Sequence, residues 1–173
     1  PTVSYVTLIL DYGTGDISTE KIVSGSTYII PDNGTIKNEG NVFVSWRDAS
    51  GNIYYVGNSI VITEDMKLTA KWSNETANAV IDDTEYADPG KAFKEAEDDA
   101  VIVLTQDSAG SAFQTTTSPK NITIMLNGNT FTVNDAMAGS PGTQNQALQN
   151  LKDNSVTIKN GSMNITAAGA RMV

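Results

Sequence analysis

The sequence predicts a mainly β protein in two parts, a small sheet module followed by a helix and a parallel solenoid. Three observations carry this expectation. In Met66-Lys67-Leu68-Thr69-Ala70-Lys71-Trp72 apolar and polar residues alternate, so Met66, Leu68, Ala70 and Trp72 share one face of a half-buried strand. The chain is also rich in Thr, Asn, Ser and Gly, a mixture that favours strands and turns over helices. Finally, residues 121–133 and 155–166 align with one gap, each reading as a β-branched strand, an Asn-Gly pair and a second short strand, with Ile124 and Ile158 offset by 34 residues. Periods of roughly 20 to 50 residues mark solenoids. The two Asn-Gly pairs also suit hairpin turns of an antiparallel sheet, and the regular offset tilts the reading toward stacked coils.

Further strands are expected at 3–10, 27–30, 42–46, 53–56 and 59–62. Clusters at 12–16, 31–34 and 48–52 separate them, and their Gly and Asn residues accept the positive φ of tight turns. Residues 73–78 are polar and lack an amphipathic period, which places a linker at 73–83 between a first domain, 1–72, and a second, 84–173, with the boundary near residue 75. The second domain opens on a helix signal. Asp88 can cap, Pro89 suits the first helical position, and Phe93, Ala96 and Ala100 fall on one face over about three turns. Val101-Ile102-Val103-Leu104 then reads as a strand buried on both sides. Residues 135–154 form a long excursion in which Ala147, Leu148 and Leu151, at helical spacing after Pro141, suggest a short helix.

The chain has 173 residues, 39% apolar and 18% charged, enough for two modest cores. It contains no Cys and no His, which excludes disulfides, thiolate and imidazole catalysis, and the usual zinc sites. The net charge is −9 and Arg47 and Arg171 are the only arginines, which argues against nucleic acid as a partner. The charge is shared, −3 over residues 1–72 (five basic, eight acidic) and −6 over 73–173 (six basic, twelve acidic). No apolar run is long enough to cross a bilayer and no signal-peptide pattern opens the chain, so membrane insertion is not expected and the chain reads as soluble and mature. A start at Pro1 fits a removed initiator Met or a segment of a longer protein.

The first domain resembles the Listeria-Bacteroides repeat, the small β-grasp-like module of internalin-type B repeats. The residues that carry the likeness are Tyr12-Gly13-Thr14-Gly15 after the opening strand, Val42-Phe43-Val44-Ser45-Trp46, then Gly51, Tyr54 and Gly57, and the closing run from Ile62 to Trp72. Ser45 stands where the family usually has Gly before the Trp. The second domain looks like the start of a right-handed parallel β-helix of the pectate-lyase-like kind. The matching features, in order, are Tyr86, the helix ending at Ala100, Ile102-Val103-Leu104, Ile122-Thr123-Ile124-Met125-Leu126-Asn127-Gly128 and Val156-Thr157-Ile158-Lys159-Asn160-Gly161. The resemblance implies that the helix caps the end of the solenoid, where apolar surface and strand edges would otherwise be bare. Only two or three coils fit before Val173, so a longer protein or a partner is expected to cover the other end.

No catalytic residues are assigned. Glycoside hydrolysis needs paired carboxylates, and Asp107, Asp135 and Asp153 sit near strand ends, where solvated turn residues are the simpler reading. The family's lyase chemistry implies calcium and an Arg base, yet Arg171 is the only arginine of the second domain and lies near its end. Asp82-Asp83 and Glu95, Glu97, Asp98 and Asp99 offer oxygen ligands without a calcium-loop spacing, so neither a metal nor a cofactor is expected. Gly13-Thr14-Gly15 and Gly139-Ser140-Pro141-Gly142 lack the Lys-Ser/Thr of a phosphate loop and read as turns. Flat aromatic faces pack on sugar C–H groups, which makes Tyr54, Tyr55 and Trp46 the candidate binding residues; Tyr55 reads as the most exposed, and Trp46 and Trp72 also suit a core. The expected function is a non-enzymatic, extracellular or virion-surface protein. It would act as a phage fibre, decoration or tail component, or as a bacterial adhesin, contacting other structural proteins, a host or glycan ligand, and other copies of itself. The alternative is the front of a polysaccharide lyase or glycoside hydrolase whose catalytic coils lie beyond residue 173.

Overall fold

The computed structural model describes residues 2–115, 119–134, 138–139 and 146–166. The chain is mainly β, with one short helix, and divides into two compact units, Pro1–Asn74 and Glu75–Val173. The division falls at the boundary expected from composition.

The first unit holds β1 (Tyr5–Asp11), β2 (Ile17–Val23), β3 (Ser26–Ile29), β4 (Asn41–Arg47), β5 (Ile53–Tyr54), β6 (Ser59–Ile62) and β7 (Met66–Asn74). Five of them form a sheet in the order β2-β1-β7-β4-β5, in which β1 and β7 run parallel and the other neighbours antiparallel. β3 and β6 pair as a separate antiparallel ribbon. Inward side chains of both sheets meet in one core of Leu8, Leu10, Ile30, Phe43, Trp46, Ile62 and Leu68. Each such side chain stabilises the unit by about 1.5–3 kcal/mol on leaving water. Both indoles keep their N–H groups bonded: Trp46 Nε1 donates to Pro31 O at 2.8 Å and Trp72 Nε1 to Tyr12 O at 2.8 Å. A bulge between Phe43 and Ser45 shifts the β4–β7 register.

The β2 strand was not among the expected elements. Its apolar residues split between faces, with Ile22 turned toward the core while Ile17 and Val23 are 62% and 43% exposed. The expected linker at 73–83 is corrected. β7 runs on to Asn74, and within the supposed linker Ala79 and Val80 are buried in β8 (Ala79–Ile81), which pairs with β9 (Thr84–Tyr86). Burial of a three-residue apolar run is what turns this polar-flanked stretch into a strand.

Beyond this hairpin the second unit contains α1 (Pro89–Glu95), β10 (Val101–Leu104), β11 (Ser108–Gly110), β12 (Phe113–Gln114), β13 (Asn121–Met125), β14 (Thr130–Val133), β15 (Leu148–Gln149), β16 (Ser155–Lys159) and β17 (Ser162–Ile165). These strands sort into three sheets, β16-β13-β10-β8-β9, β11-β14-β17 and β12-β15. Every pair among β10 to β17 is parallel. Ile124 faces Ile158 and Phe131 faces Met163, so the two sequence repeats lie side by side as parallel neighbours. The Asn-Gly pairs are therefore corners between strands of different sheets and not hairpin turns. At both corners Asn127 and Asn160 are left-handed (φ 51° and 55°), and Leu126 N–H donates to Lys159 O at 2.8 Å.

Asp88 caps α1 as expected, accepting from Gly90 N at 2.9 Å, with Pro89 following. The helix is shorter than expected and stops at Glu95. Acidic side chains oppose the negative end of a helix dipole, and here Asp98 leaves the helix and its Oδ1 accepts from Asn121 N at 2.7 Å. The short helix expected around Ala147, Leu148 and Leu151 is instead strand β15 paired with β12. Phe93 of α1, Phe113 of β12 and Phe131 of β14 are all buried and stack in series, with ring centroids 5.0 Å and 4.7 Å apart. Around them lie Ile102, Leu104, Ile122, Ile124 and Val133. Among the described residues, no helix is long and apolar enough to cross a membrane.

Candidate functional site

The candidate tyrosines lie on and just after β5, behind a loop organised by Asp48. Asp48 Oδ1 accepts from Ser50 N and Asn52 N, both at 2.9 Å, while Oδ2 accepts from Asn52 Nδ2 at 2.8 Å and from the Tyr54 hydroxyl at 3.0 Å. An Asx turn of this kind follows from a short acceptor side chain ahead of Ser-Gly-Asn. The Asn52 amide is the main cause holding the Asp48 carboxyl below its ordinary value. Burial, then the bond to Asp48, raises the Tyr54 hydroxyl. Asp48 thus stays ionised and Tyr54 stays protonated at neutral pH, a pair suited to fixing a loop and unsuited to exchanging protons.

The three candidate binding residues are not brought together on one open face. Trp46 is fully buried in the core, its ring edge-on to Tyr12 at 5.1 Å, and has no face to offer a sugar; its candidacy is corrected. Tyr54 is half-buried opposite Trp46 in the β4–β5 register. Tyr55 is also half-buried, and its carbonyl accepts from Asn58 N at 3.1 Å in the following turn. Alternation over a two-residue strand is too short a signal to separate such side chains.

A shallow groove of about 380 Å³ opens beside this loop, lined by Asp48, Ser50, Val61, Glu64, Asp65 and Lys67 among others. Its polar groups are largely engaged: Asp65 Oδ1 accepts from Thr7 N at 2.7 Å, and Lys67 Nζ lies 2.7 Å from Asp11. Lys67 is the main cause that keeps the Asp11 carboxyl low. The second unit has its own cleft of about 500 Å³ beside α1, with Lys91, Lys94, Glu95, Ser111 and Gln114 on its walls. Asp88, also on its wall, is occupied by Gly90 N and Ser111 N, and Lys91 lies 3.8 Å from Glu95. Both hollows offer hydrogen bonds to a hydroxylated ligand, and neither contains an aromatic platform. The residues of this cleft had no sequence signal, because α1 and the approach to β12 meet only in the fold.

Of the carboxylates considered for hydrolysis, that of Asp107 serves the backbone. Asp107 Oδ1 accepts from Thr130 N at 2.7 Å, and Asp153 sits in a left-handed turn (φ 67°). Asp135 and Arg171 lie outside the described residues, as does most of the turn at 139–142. Among the described residues no group of three or more acidic side chains is placed to hold a metal ion. In comparisons with known proteins, no family model, curated protein or solved structure matches the chain.

Proposed function

We propose that the chain is a non-enzymatic display protein of a virion or bacterial cell surface. On this reading a β-grasp-like module is joined to the helix-capped first coils of a right-handed parallel β-helix, and polar corners and loops are presented to a host or glycan ligand. The observation that carries the reading is the ladder of parallel pairs, β10-β13-β16, β11-β14-β17 and β12-β15, which returns the chain in order to the same three sheets, from Val101 to Thr123 and from Ile124 to Ile158 in the first of them. Such repetition builds rigid spacers in which each coil leans on its neighbours. The parallel pairing of the first and last strands of the opening unit, flanked by antiparallel neighbours, supports the β-grasp-like part. Asp98 and Asp107 spend their carboxylates on the backbone of the adjoining coil, which suits a spacer more than a hydrolase.

Quantitative mass spectrometry of purified virions, washed cell walls and cytosol from the source organism tests the proposal. The expected result is enrichment in particles or walls, with antibody labelling of intact surfaces. A chain found only in the cytosolic fraction overturns it.

A further inference from the structure

We infer that the outer edge of β6 docks an extended, basic peptide strand of a partner protein, which adds to the β3–β6 ribbon and fills the groove beside it. The register sets Ser26 against Ile62 and Tyr28 against Ile60, and in its continuation Ile30 N–H donates to Asn58 O at 2.9 Å. Residues 58, 60 and 62 therefore turn their backbone groups toward β3. By alternation, Ser59 and Val61 each turn an N–H and a C=O to the opposite side, where the ribbon has no third strand among the described residues. The edge lies in the interior of the sequence, with β5 before it and β7 after it.

The groove of about 380 Å³ occupies the place such a strand would take. Its wall runs along residues 61–67 and returns along 48–50, and no residue of β3 is part of it. The hollow thus lies on the side of β6 away from β3, where a paired strand sits about 4.8 Å out. Val61 on this wall is 62% exposed, while its neighbour Ile62 is 2% exposed in the core, so the edge leaves one apolar side chain to water. The strand has no Lys, no Pro and no bulge to blunt it.

The charge of the wall selects the partner. Asp48, Glu64 and Asp65 bring three carboxylates, and the groups that donate to Asp48 and Asp65 are neutral amides and a hydroxyl. Lys67 is the one cation of the wall, and its ammonium lies 2.7 Å from Asp11. The groove therefore sets net negative charge beside unpaired backbone groups. In strand addition the backbone bonds give affinity and the alternate side chains give specificity. A strand with Lys or Arg at alternate positions meets these carboxylates, and an acidic strand is repelled by them. A second copy of this chain is a poorer occupant, since each copy carries a net charge of −9.

The inference goes beyond surface display and does not depend on it, so the two can fail separately. The test titrates the full chain into a fluorescently labelled synthetic peptide, Lys-Val-Thr-Val-Lys, read by anisotropy, with hydrogen exchange followed at the Ser59 and Val61 amides. The expected result is saturable binding that weakens as salt is raised, protection of both amides by the peptide, and binding at least tenfold weaker when Glu replaces both lysines of the peptide. Val61→Pro removes an N–H that makes no bond to β3, and Glu64→Lys inverts a charge on the wall at an exposed position. Each should weaken binding at least tenfold with the tryptophan fluorescence midpoint of urea unfolding unchanged; should Val61→Pro unfold the unit, Glu64→Lys alone decides. Ile29→Lys, on the other edge of the ribbon, should leave binding as it was. Absence of saturable binding overturns the inference, as does equal binding of the Glu peptide. Binding lost in Ile29→Lys and kept in Val61→Pro overturns it and assigns docking to β3. Self-association abolished by Val61→Pro, with no peptide binding, overturns it and assigns the edge to a second copy.

Discussion

Replacing Phe113 with alanine isolates the contribution of the aromatic stack that ties α1 to the strands beneath it. Phe113 is fully buried, and its ring lies 5.0 Å from Phe93 and 4.7 Å from Phe131, stacked at 17° on the latter. Removing a buried phenyl ring forfeits its transfer free energy and leaves a cavity, together about 3–5 kcal/mol. Within that total, each ring contact accounts for about 0.5–1.5 kcal/mol. A domain is stable by only about 5–15 kcal/mol, so the second unit loses a large share of its margin. The assay uses an asymmetry of the chain: both tryptophans, Trp46 and Trp72, lie in the first unit. Tryptophan fluorescence during urea unfolding therefore reports that unit, while far-ultraviolet circular dichroism reports both. Phe113→Ala should bring part of the dichroism transition to lower urea and leave the fluorescence midpoint where it was. Phe113→Leu, which keeps most of the volume, should fall between. An unshifted dichroism curve would refute the central place of the stack, and a fluorescence midpoint that moves equally would refute the independence of the two cores.

Three further outcomes are expected. Trp46→Ala should destabilise the first unit by about 3–5 kcal/mol in thermal or urea unfolding, because the ring is fully buried and its N–H would leave Pro31 O without a donor; Tyr55→Ala should cost much less. Burial, with Glu20 nearby, pushes the Tyr28 hydroxyl from 10.0 up to about 12. The folded state therefore holds this proton more tightly than the unfolded chain does, and the associated stability is complete below about pH 10 and is lost as pH rises toward about 12; Tyr28→Phe should flatten that part of a stability–pH titration. Gly161→Ala should cost about 1–3 kcal/mol by overpacking, since a Cβ there runs into Leu126 Cβ and the Asn129 carbonyl oxygen; wild-type stability would show that the corner gives way.

Much of the second unit was legible because its signals are long in sequence. The 34-residue offset between Ile124 and Ile158 is the observed register, and Asp88-Pro89 starts the helix where capping chemistry places it. The helix end was not legible, since Ala96 and Ala100 continue its spacing; the competing pull came from Asn121, distant in sequence, whose amide Asp98 serves. Leu148 likewise sits at helical spacing, yet pairing with Phe113 makes it a strand. β2 and β8 escaped notice for opposite reasons, one because its apolar residues point to both faces, the other because a run of three is too short to stand out from polar flanks. In the first unit every strand but β2 could be read from local patterning, but the parallel union of β1 and β7 could not, because nothing local encodes which strands become neighbours. The candidate site was legible least. Aromatic residues signal burial and ligand contact alike, and only the bond from Trp46 to Pro31 O and the bond from Tyr54 to Asp48 show how these side chains are employed.

The bridge between Ala138 and Gln146 has a practical consequence. Two backbone bonds, Ala138 N to Gln146 O at 2.9 Å and Gln146 N to Ala138 O at 3.0 Å, clasp the two ends of the segment between them, and Ala138 and Ala147 anchor that clasp in the core. The parallel neighbours of β14 and β15, strands β11 and β12, are joined by residues 111–112 alone. The same two sheets are thus joined by connections of very different length in sequence. Insertions between these two anchors that leave Ala138 and Gln146 joined are expected to leave the β12–β15 and β14–β17 pairings unchanged.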